Sequence, residues 1–480
     1  MTIVGGALAG LVGVAGPAQA ATSLPCDLYA AAGTPCVAAH STTRALYASY
    51  SGKLYQVKRL SDSTTLDIGT LATGGYANAA AQDTFCSGTT CLITEIYDQS
   101  GKGNNLTVEG AGGNGGADVG AIANALPVTA GGHKVYGVYV SAGVGYRNDS
   151  TTSIPTGSAA QGAYMVTSGK HVNARCCFDY GNAETSNDDT GNGHMDAINF
   201  GTECWFSPCT GSGPWVQADL ENGLFAGGNG SNTSNAGNSS AFVTALLKVN
   251  GTTTYAIKGG NAQSGSLSTW YSGALPNLGG YAPMHQEGAI VLGTGGDDSN
   301  GSDGSFFEGV MTAGYPTDAA DNSVQANVVS VGYTSSTSFP VAGTAYRITN
   351  LNSGKVLDAV NCGTANGTSI DLWASLGNTC QQWKFTGLGN GVYTIVNVNS
   401  GTTLDSVNCG SSNGTSIDLW ASLNNLCQEW NVTSYGSYYS ITNVGNGMEL
   451  DAKNCGTANG TVARQWQELD NACQQWNIAP

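Results

Sequence analysis

Apolar and polar residues alternate in short bursts along most of the chain, and Gly, Asn and Ser close each burst. KVYGVYVSA (134–142), GAYMVTS (162–168), AFVTALLKV (241–249), TTTYAIKG (252–259), GAIVLGTGG (288–296) and FFEGVMTAGY (306–315) each have the length and composition of a strand held between turns. Near the start, TTRALYASYSGKLYQVKRL (42–60) and YANAAAQDTF (76–85) predict short helices. Many strands and few helices predict an all-β sandwich for residues 21–333. TSSTSFPVAGT (334–344), small polar residues around Pro340, reads as a linker.

Residues 345–480 carry a different pattern, a threefold internal repeat. LDAVNCGTANGTSIDLWASLGNTCQQW (357–383), LDSVNCGSSNGTSIDLWASLNNLCQEW (404–430) and LDAKNCGTANGTVARQWQELDNACQQW (450–476) align without a gap. Their last tryptophans, Trp383, Trp430 and Trp476, lie 47 and 46 residues apart, room for about four short strands per unit. Three such units make a closed threefold arrangement. GSSNG (410–414) matches a serine-nucleophile pattern, but it sits inside a repeat loop and carries no chemistry.

Composition narrows the setting. Residues 1–20 form an apolar, Gly/Ala-rich run ending Ala18-Gln19-Ala20, the small-x-small pattern of a secretory cleavage site, although no Lys or Arg precedes it. A secreted, extracellular protein is expected, and no later segment has the about 20 apolar residues of a membrane span. The 14 cysteines then imply a disulfide framework. Cys26 and Cys36, Cys86 and Cys91, and Cys204 and Cys209 lie close together, while Cys362/Cys380, Cys409/Cys427 and Cys455/Cys473 share a separation of 18. Cys176 and Cys177 are adjacent; they bond either to each other or to distant partners such as Cys204 and Cys209. The net charge of −17 repels phosphate backbones, so nucleic acid is not an expected partner. Five scattered histidines and no C-x-x-C pair suggest no metal or other cofactor. Charged residues are only 10% of the chain while Gly, Ser, Thr and Asn abound, which suits a surface that hydrogen-bonds neutral polyhydroxyl ligands; a monomer is expected.

Two stretches hold candidate chemistry. In GPWVQADLENG (213–223), Val216, Ala218 and Leu220 fall on one strand face, while Trp215, Gln217, Asp219 and Glu221 fall on the other, predicting a wet acidic groove over a core. In GAIVLGTGGDDSNGSDG (288–304), an apolar strand runs into Gly295-Gly296 and then Asp297-Asp298, where glycine permits close backbone approach to a ligand. Such a loop also suits a turn or calcium, but EF-hand spacing is absent. Glycoside hydrolysis needs two carboxyl groups, and Glu221 and Asp297 meet that need if the fold brings them together.

The repeat block resembles the ricin B-type lectin domain, a β-trefoil with a Gln-x-Trp signature in each unit, here Gln381/Trp383, Gln428/Trp430 and Gln474/Trp476. The resemblance implies sugar contacts from an early Asp and a later aromatic: Asp358 with Trp373, Asp405 with Trp420, and Asp451 with Trp466. Asn378, Asn425 and Asn471 stand in for the family's usual polar partner, whose place is taken by cysteine.

The larger domain resembles the α-L-arabinofuranosidases of glycoside hydrolase family 54. The motifs are PCDLYAAAGTPCVAAHSTTRALYASYSGKLYQVKR, QDTFCSGTTCLITEIYDQSGKGNNL, CCFDYGNAETSNDDTGNGHMDAINFG, DLENGLFAG, GGNAQSGSLSTWYSGALP and LGTGGDDSNG. The family implies a concanavalin-like sandwich, retention of anomeric configuration, Glu221 as nucleophile and Asp297 as general acid/base. It also implies Asp219, Asn222 and Gly296 near the sugar, Trp205 above it, and a vicinal Cys176-Cys177 disulfide as its floor. Adjacent Cα atoms about 3.8 Å apart would make that bond a small, strained ring. The expected activity is exo-acting release of terminal arabinofuranosyl groups from arabinoxylan or arabinan, with arabinose-containing plant polysaccharides as partners. The rival expectations are a non-catalytic two-domain lectin and a retaining glycosidase for galactofuranose or xylose.

Overall fold

The computed structural model describes residues 23–87, 89–230, 234–335, 344–389, 392–434, 438–469 and 471–479. The expected leader, 1–20, and positions 336–343 of the expected linker lie outside the described residues. Thr334–Ser335, assigned to the linker by sequence, instead pair with Leu126–Ala130 of the larger domain.

Two antiparallel sheets dominate the first part of the chain. One has six strands in the order Cys36–Ser41, Glu308–Ala313, Gln161–Thr167, Val243–Val249, Thr254–Asn261 and Ser268–Ala274. The other has ten, and four of its neighbours carry the site: β1 (Asp179–Ala183), β2 (Asp196–Gly201), β3 (Trp215–Asp219) and β4 (Ala289–Leu292). Their order is β3-β2-β1-β4. Period-two alternation divides these strands. Tyr180, Ile198, Phe200, Val216, Ala218 and Leu292 enter the core shared with the six-stranded sheet. The other face carries small or polar residues, Asp179, Gly181, Ala197, Asn199, Gln217 and Asp219. Registers of Asp179 opposite Asn199, Asn199 opposite Gln217, and Ala197 opposite Asp219 set these side chains in rows across the sheet.

The helices differ from expectation. Ala79–Phe85 is helical, but within 42–60 the ordered element is the strand Lys53–Arg59, paired on both sides and burying Leu54, Tyr55 and Val57. Tertiary pairing overrides its helix-compatible residues. Pro25–Ala31 and Asp318–Val331 are additional helices. The latter starts where Thr317 Oγ1 accepts from Ala320 N and ends at Gly332, whose φ of +63° suits glycine.

Residues 344–479 form the trefoil, with its own core around Trp383, Trp430 and Trp476, all fully buried. Each indole Nε1 donates to a backbone carbonyl 26 residues earlier, at Leu357, Leu404 and Leu450. Gln381, Gln428 and Gln474 each accept from one backbone N–H and donate to one carbonyl, so the Gln-x-Trp signature ties each unit together. Seven disulfides close: Cys26–Cys36, Cys86–Cys91, Cys176–Cys177, Cys204–Cys209, Cys362–Cys380, Cys409–Cys427 and Cys455–Cys473.

Candidate active site

The strand face read as a wet groove is buried. Gln217 and Asp219 are enclosed, and Trp215 leaves the groove altogether, its Nε1 donating to Thr210 O. The alternation also stops short of Glu221, because β3 ends at Asp219. Glu221 sits in the turn that follows, at φ +62°, with Asn222 at +53°. Two successive non-glycine residues in this region cost roughly 1–3 kcal/mol each, a strain found mainly where surrounding groups hold a site in place. Here Tyr281 Oη donates to the carbonyls of Glu221 (2.8 Å) and Asn222 (3.1 Å), and Glu221 N donates to Asp219 Oδ1 (3.1 Å). The turn therefore aims Glu221 back over the sheet's polar face. Asn222 is exposed and donates to Asp189 Oδ1.

Asp297 arrives from the other side, in the loop after β4. Its Oδ1 accepts from Ser299 Oγ (2.6 Å) and Ser299 N (3.1 Å), and its Oδ2 accepts from Asn114 Nδ2. Asp298, at φ +67°, is buried and accepts from Gly112 N, anchoring the loop. Any side chain on Gly296 would strike Glu184 Oε2, and Arg147 holds the Gly296 carbonyl at 2.9 Å. A Cβ on Gly295 would lie 3.4 Å from Asp297 Oδ1 and 3.5 Å from Cys177 Cβ. These two glycines let the loop pass close to both neighbours.

Cys176 and Cys177 bond to each other across a cis peptide, so their Cα atoms stand 3.0 Å apart, not the spacing of a trans link. Cys177 N donates to Ser299 O (2.8 Å), Gly301 N donates to Cys176 O (3.1 Å), and Asp219 Oδ2 lies 3.5 Å from Cys177 Sγ. The sulfur pair thus touches both the Asp297 loop and the β3 acid. Trp205 stands half exposed in the loop closed by Cys204–Cys209, and the next residue, Phe206, stacks on Phe225, which meets Tyr281 edge-on.

Sequence reasoning missed the acids that connect these parts. Asp179, on β1, accepts from Asn199 Nδ2 through Oδ1, while its Oδ2 is buried without a donor, and the charges of Glu221 and Asp297 act on it. Glu184, just beyond β1, is buried with neither carboxyl oxygen meeting a donor, and its charge acts on Glu221. The available signal was alternation in CFDYGNAE, which puts Asp179 on the face opposite Phe178 and Tyr180. Burial first, then the charges of Asp219 and Glu184, push Glu221 up to about 11. Burial lifts Asp179 to about 8, and burial likewise raises Asp219 and Glu184. Carboxyls in contact must share protons, so Asp179–Asp219 and Glu184–Glu221 titrate as pairs. The cluster can hold a proton and a charge side by side at working pH.

Two groupings bring metal-ligand atoms together among the described residues: Cys176/Cys177/Asp219 and Glu109/Asp118/Asp298. The sulfurs of the first are disulfide-bonded. In the second, Arg147 meets Glu109 Oε1, Asn300 donates to Asp118 Oδ1 and Gly112 N donates to Asp298 Oδ2, while Glu109 Oε2 and Asp118 Oδ2 are buried without a hydrogen-bond partner.

Buried acids make stability depend on pH. Asp196 on β2 is pushed by burial to about 8, against the hydrogen bond from Gln161. Its folded value exceeds the unfolded value of about 3.9, so the folded state binds more protons between those limits. Stability is then fully present below about pH 4 and lost as pH rises toward 8, by up to about 1.4 kcal/mol per pH unit for each such acid. Thermal melts from pH 5 to pH 8 are expected to show a falling Tm. Asp196→Asn is expected to flatten that fall; equal slopes would refute the assignment.

The catalytic family model of alpha-L-arabinofuranosidase B matches residues 25–334, and the ricin-type β-trefoil lectin domain-like model matches 336–420 and 426–480. A probable alpha-L-arabinofuranosidase B of Aspergillus fumigatus is 59% identical over 317 residues, 64% of this chain and 62% of that protein. The alpha-L-arabinofuranosidase B of Aspergillus oryzae is 57% identical over 330 residues, 67% of this chain and 65% of that protein. The chain thus spans somewhat under two thirds of the length of these relatives. Among solved structures, a GH54 α-L-arabinofuranosidase soaked with a cyclic sulfate inhibitor aligns with a TM-score of 0.74 at 39% identity, covering 95% of this chain and 99% of that one. An arabinofuranosidase complexed with arabinofuranosyl-α-1,2-xylobiose gives the same values.

Proposed function

Since the chain belongs to the alpha-L-arabinofuranosidase B catalytic family and carries a ricin-type lectin-like trefoil, we propose that it is a secreted, retaining exo-α-L-arabinofuranosidase. It removes terminal arabinofuranosyl groups from arabinoxylan or arabinan, and its trefoil holds it on polysaccharide. The observation that supports this reading is Cys177, whose Sγ lies 3.5 Å from Asp219 Oδ2 and whose N donates to Ser299 O, so that the strand leading to Glu221 and the loop bearing Asp297 meet at the sulfur pair. Acids contributed by a turn after β3 and a loop after β4 therefore address a single space beside the Cys176–Cys177 pair.

The chemistry follows from two carboxyls in that space. Glu221, with the shared proton resting on Glu184, attacks the anomeric carbon. Asp297 gives its proton to the glycosidic oxygen, the C–O bond breaks, and the alcohol leaves. Asp297 then takes a proton from water as its oxygen attacks the same carbon, freeing arabinose and Glu221. Asp219, whose Oδ2 lies 3.5 Å from Cys177 Sγ, meets a sugar hydroxyl, and the sulfur pair offers the ring an apolar floor.

Proton NMR during hydrolysis of 4-nitrophenyl α-L-arabinofuranoside tests the reading. The first free sugar is expected to be the α anomer, with the β anomer appearing only by mutarotation. Initial appearance of the β anomer would overturn retention, and no release of nitrophenol would overturn the activity.

A further inference from the structure

The three trefoil units align without a gap, but the third departs from the other two in the strand that faces its early acid. Opposite the early acid of each unit, the paired strand places Asp371 facing Asp358, Asp418 facing Asp405, and Arg464 facing Asp451. The change is SIDLW in the first two units and VARQW in the third.

In the first two units this makes a pair of buried carboxyls beside an exposed indole. Asp358, Asp371, Asp405 and Asp418 are each at most 8% exposed, while Trp373 and Trp420 are 37% and 38% exposed. Oδ1 of Asp371, Asp405 and Asp418 is buried with no hydrogen-bond partner. A buried acceptor without a donor costs about 1–3 kcal/mol, so these oxygens call for a ligand that brings hydroxyls. In the third unit the requirement is met internally. Arg464 Nε donates to Asp451 Oδ1 at 2.7 Å, and its guanidinium lies 3.9 Å from the Trp466 ring centroid, covering the aromatic face a sugar would use.

We infer that the trefoil takes a neutral saccharide at two sites, Asp358/Asp371/Trp373 and Asp405/Asp418/Trp420, and that Arg464 closes the third unit to it. The inference rests on the reading of the trefoil as a sugar-binding module. Adjacent hydroxyls satisfy both acids of a pair while the sugar's C–H face lies on the indole; a uronic acid would add a third negative charge. The indole is set alike in all units, since a Cβ added at Gly367, Gly414 or Gly460 of a neighbouring unit would lie 3.7–3.9 Å from Trp420, Trp466 or Trp373. The third unit also has Val462, Ala463 and Gln465 where the others have Ser, Ile and Leu, but Arg464 is the change that faces the early acid.

Isothermal titration calorimetry of the full chain with lactose, xylotriose and glucuronic acid tests it. At least one neutral probe is expected to bind wild type with two equivalents and glucuronic acid with none at the trefoil. Asp371→Asn and Asp418→Asn are each expected to remove one equivalent, and Arg464→Asp, which recreates the acid pair, to bring the count to three. Should Arg464→Asp fail to fold, the wild-type count and the two Asp variants decide alone. Three equivalents in wild type, or glucuronic acid competing equally, would overturn the inference and leave sugar binding standing. Silence from every probe would overturn both.

Discussion

Glu221→Gln is expected to hydrolyse 4-nitrophenyl α-L-arabinofuranoside about 10⁴-fold or more slowly than wild type, the scale of loss when a nucleophile that works with its partners is removed. Its Tm is expected to stay level or rise. The two outcomes have one cause. Burial and the charges of Asp219 and Glu184 raise the pKa of Glu221 because its ionised form is unfavourable in the folded site. An amide keeps the shape, offers a donor to the buried, unpartnered Glu184 carboxyl, and removes an acid that must otherwise find a proton or repel its neighbours. The backbone clamp is untouched, since Tyr281 and Asp219 hold the turn through main-chain atoms. Stopped assays and thermal melts on the same preparation check this. A variant retaining a tenth of wild-type kcat would remove Glu221 from the nucleophile's role, and one that melts far lower would show that its charge supports the fold.

That site was legible in the sequence only in part, and the division has a physical basis. Period-two alternation and turn residues announced the strands, and the 47- and 46-residue spacing of Trp383, Trp430 and Trp476 announced the trefoil, because both signals are local. Glu221 and Asp297 stood out through local pattern too, Glu221 on the acidic face of an alternating run and Asp297 after a glycine pair at the end of an apolar strand. Asp179 and Glu184 did not, since what distinguishes them is company that only sheet order provides, with β1 set between β2 and β4. The burial of Gln217 and Asp219 was hidden too, because alternation tells which residues share a face but not whether another loop covers it. Segment 42–60 was misread as helical for want of the two strands that flank Lys53–Arg59. Helix Asp318–Val331 escaped notice because its buried positions, Ala320, Val324, Asn327 and Val328 among them, mix apolar with polar residues. The trefoil's inequality, by contrast, was written plainly as Asp371, Asp418 and Arg464. Its meaning needed the structure to show that each faces the early acid of its own unit.

Asp297→Asn is expected to separate the two halves of the reaction. Nitrophenolate leaves without a proton, so the first step on the activated glycoside should persist, whereas release from arabinoxylan, whose leaving alcohol needs that proton, should fall by about 10²–10⁴-fold. The intermediate on Glu221 then waits for water that no base activates. Azide needs no base, so adding it is expected to restore turnover and to give α-L-arabinofuranosyl azide, the configuration set by displacing Glu221. The same addition to Glu221→Ala should instead give the β azide, by direct displacement from the opposite face. The environment of Asp297 supports the experiment: Ser299 donates twice to Oδ1, a position the amide oxygen can keep, so the loop should hold its path while the amide nitrogen replaces Oδ2 opposite Asn114. Asn114 Nδ2 and the new amide nitrogen compete at one oxygen position, a local cost that a melt will register apart from catalysis. If azide rescues neither variant, or yields the same anomer from both, the acid and nucleophile have been assigned to the wrong residues.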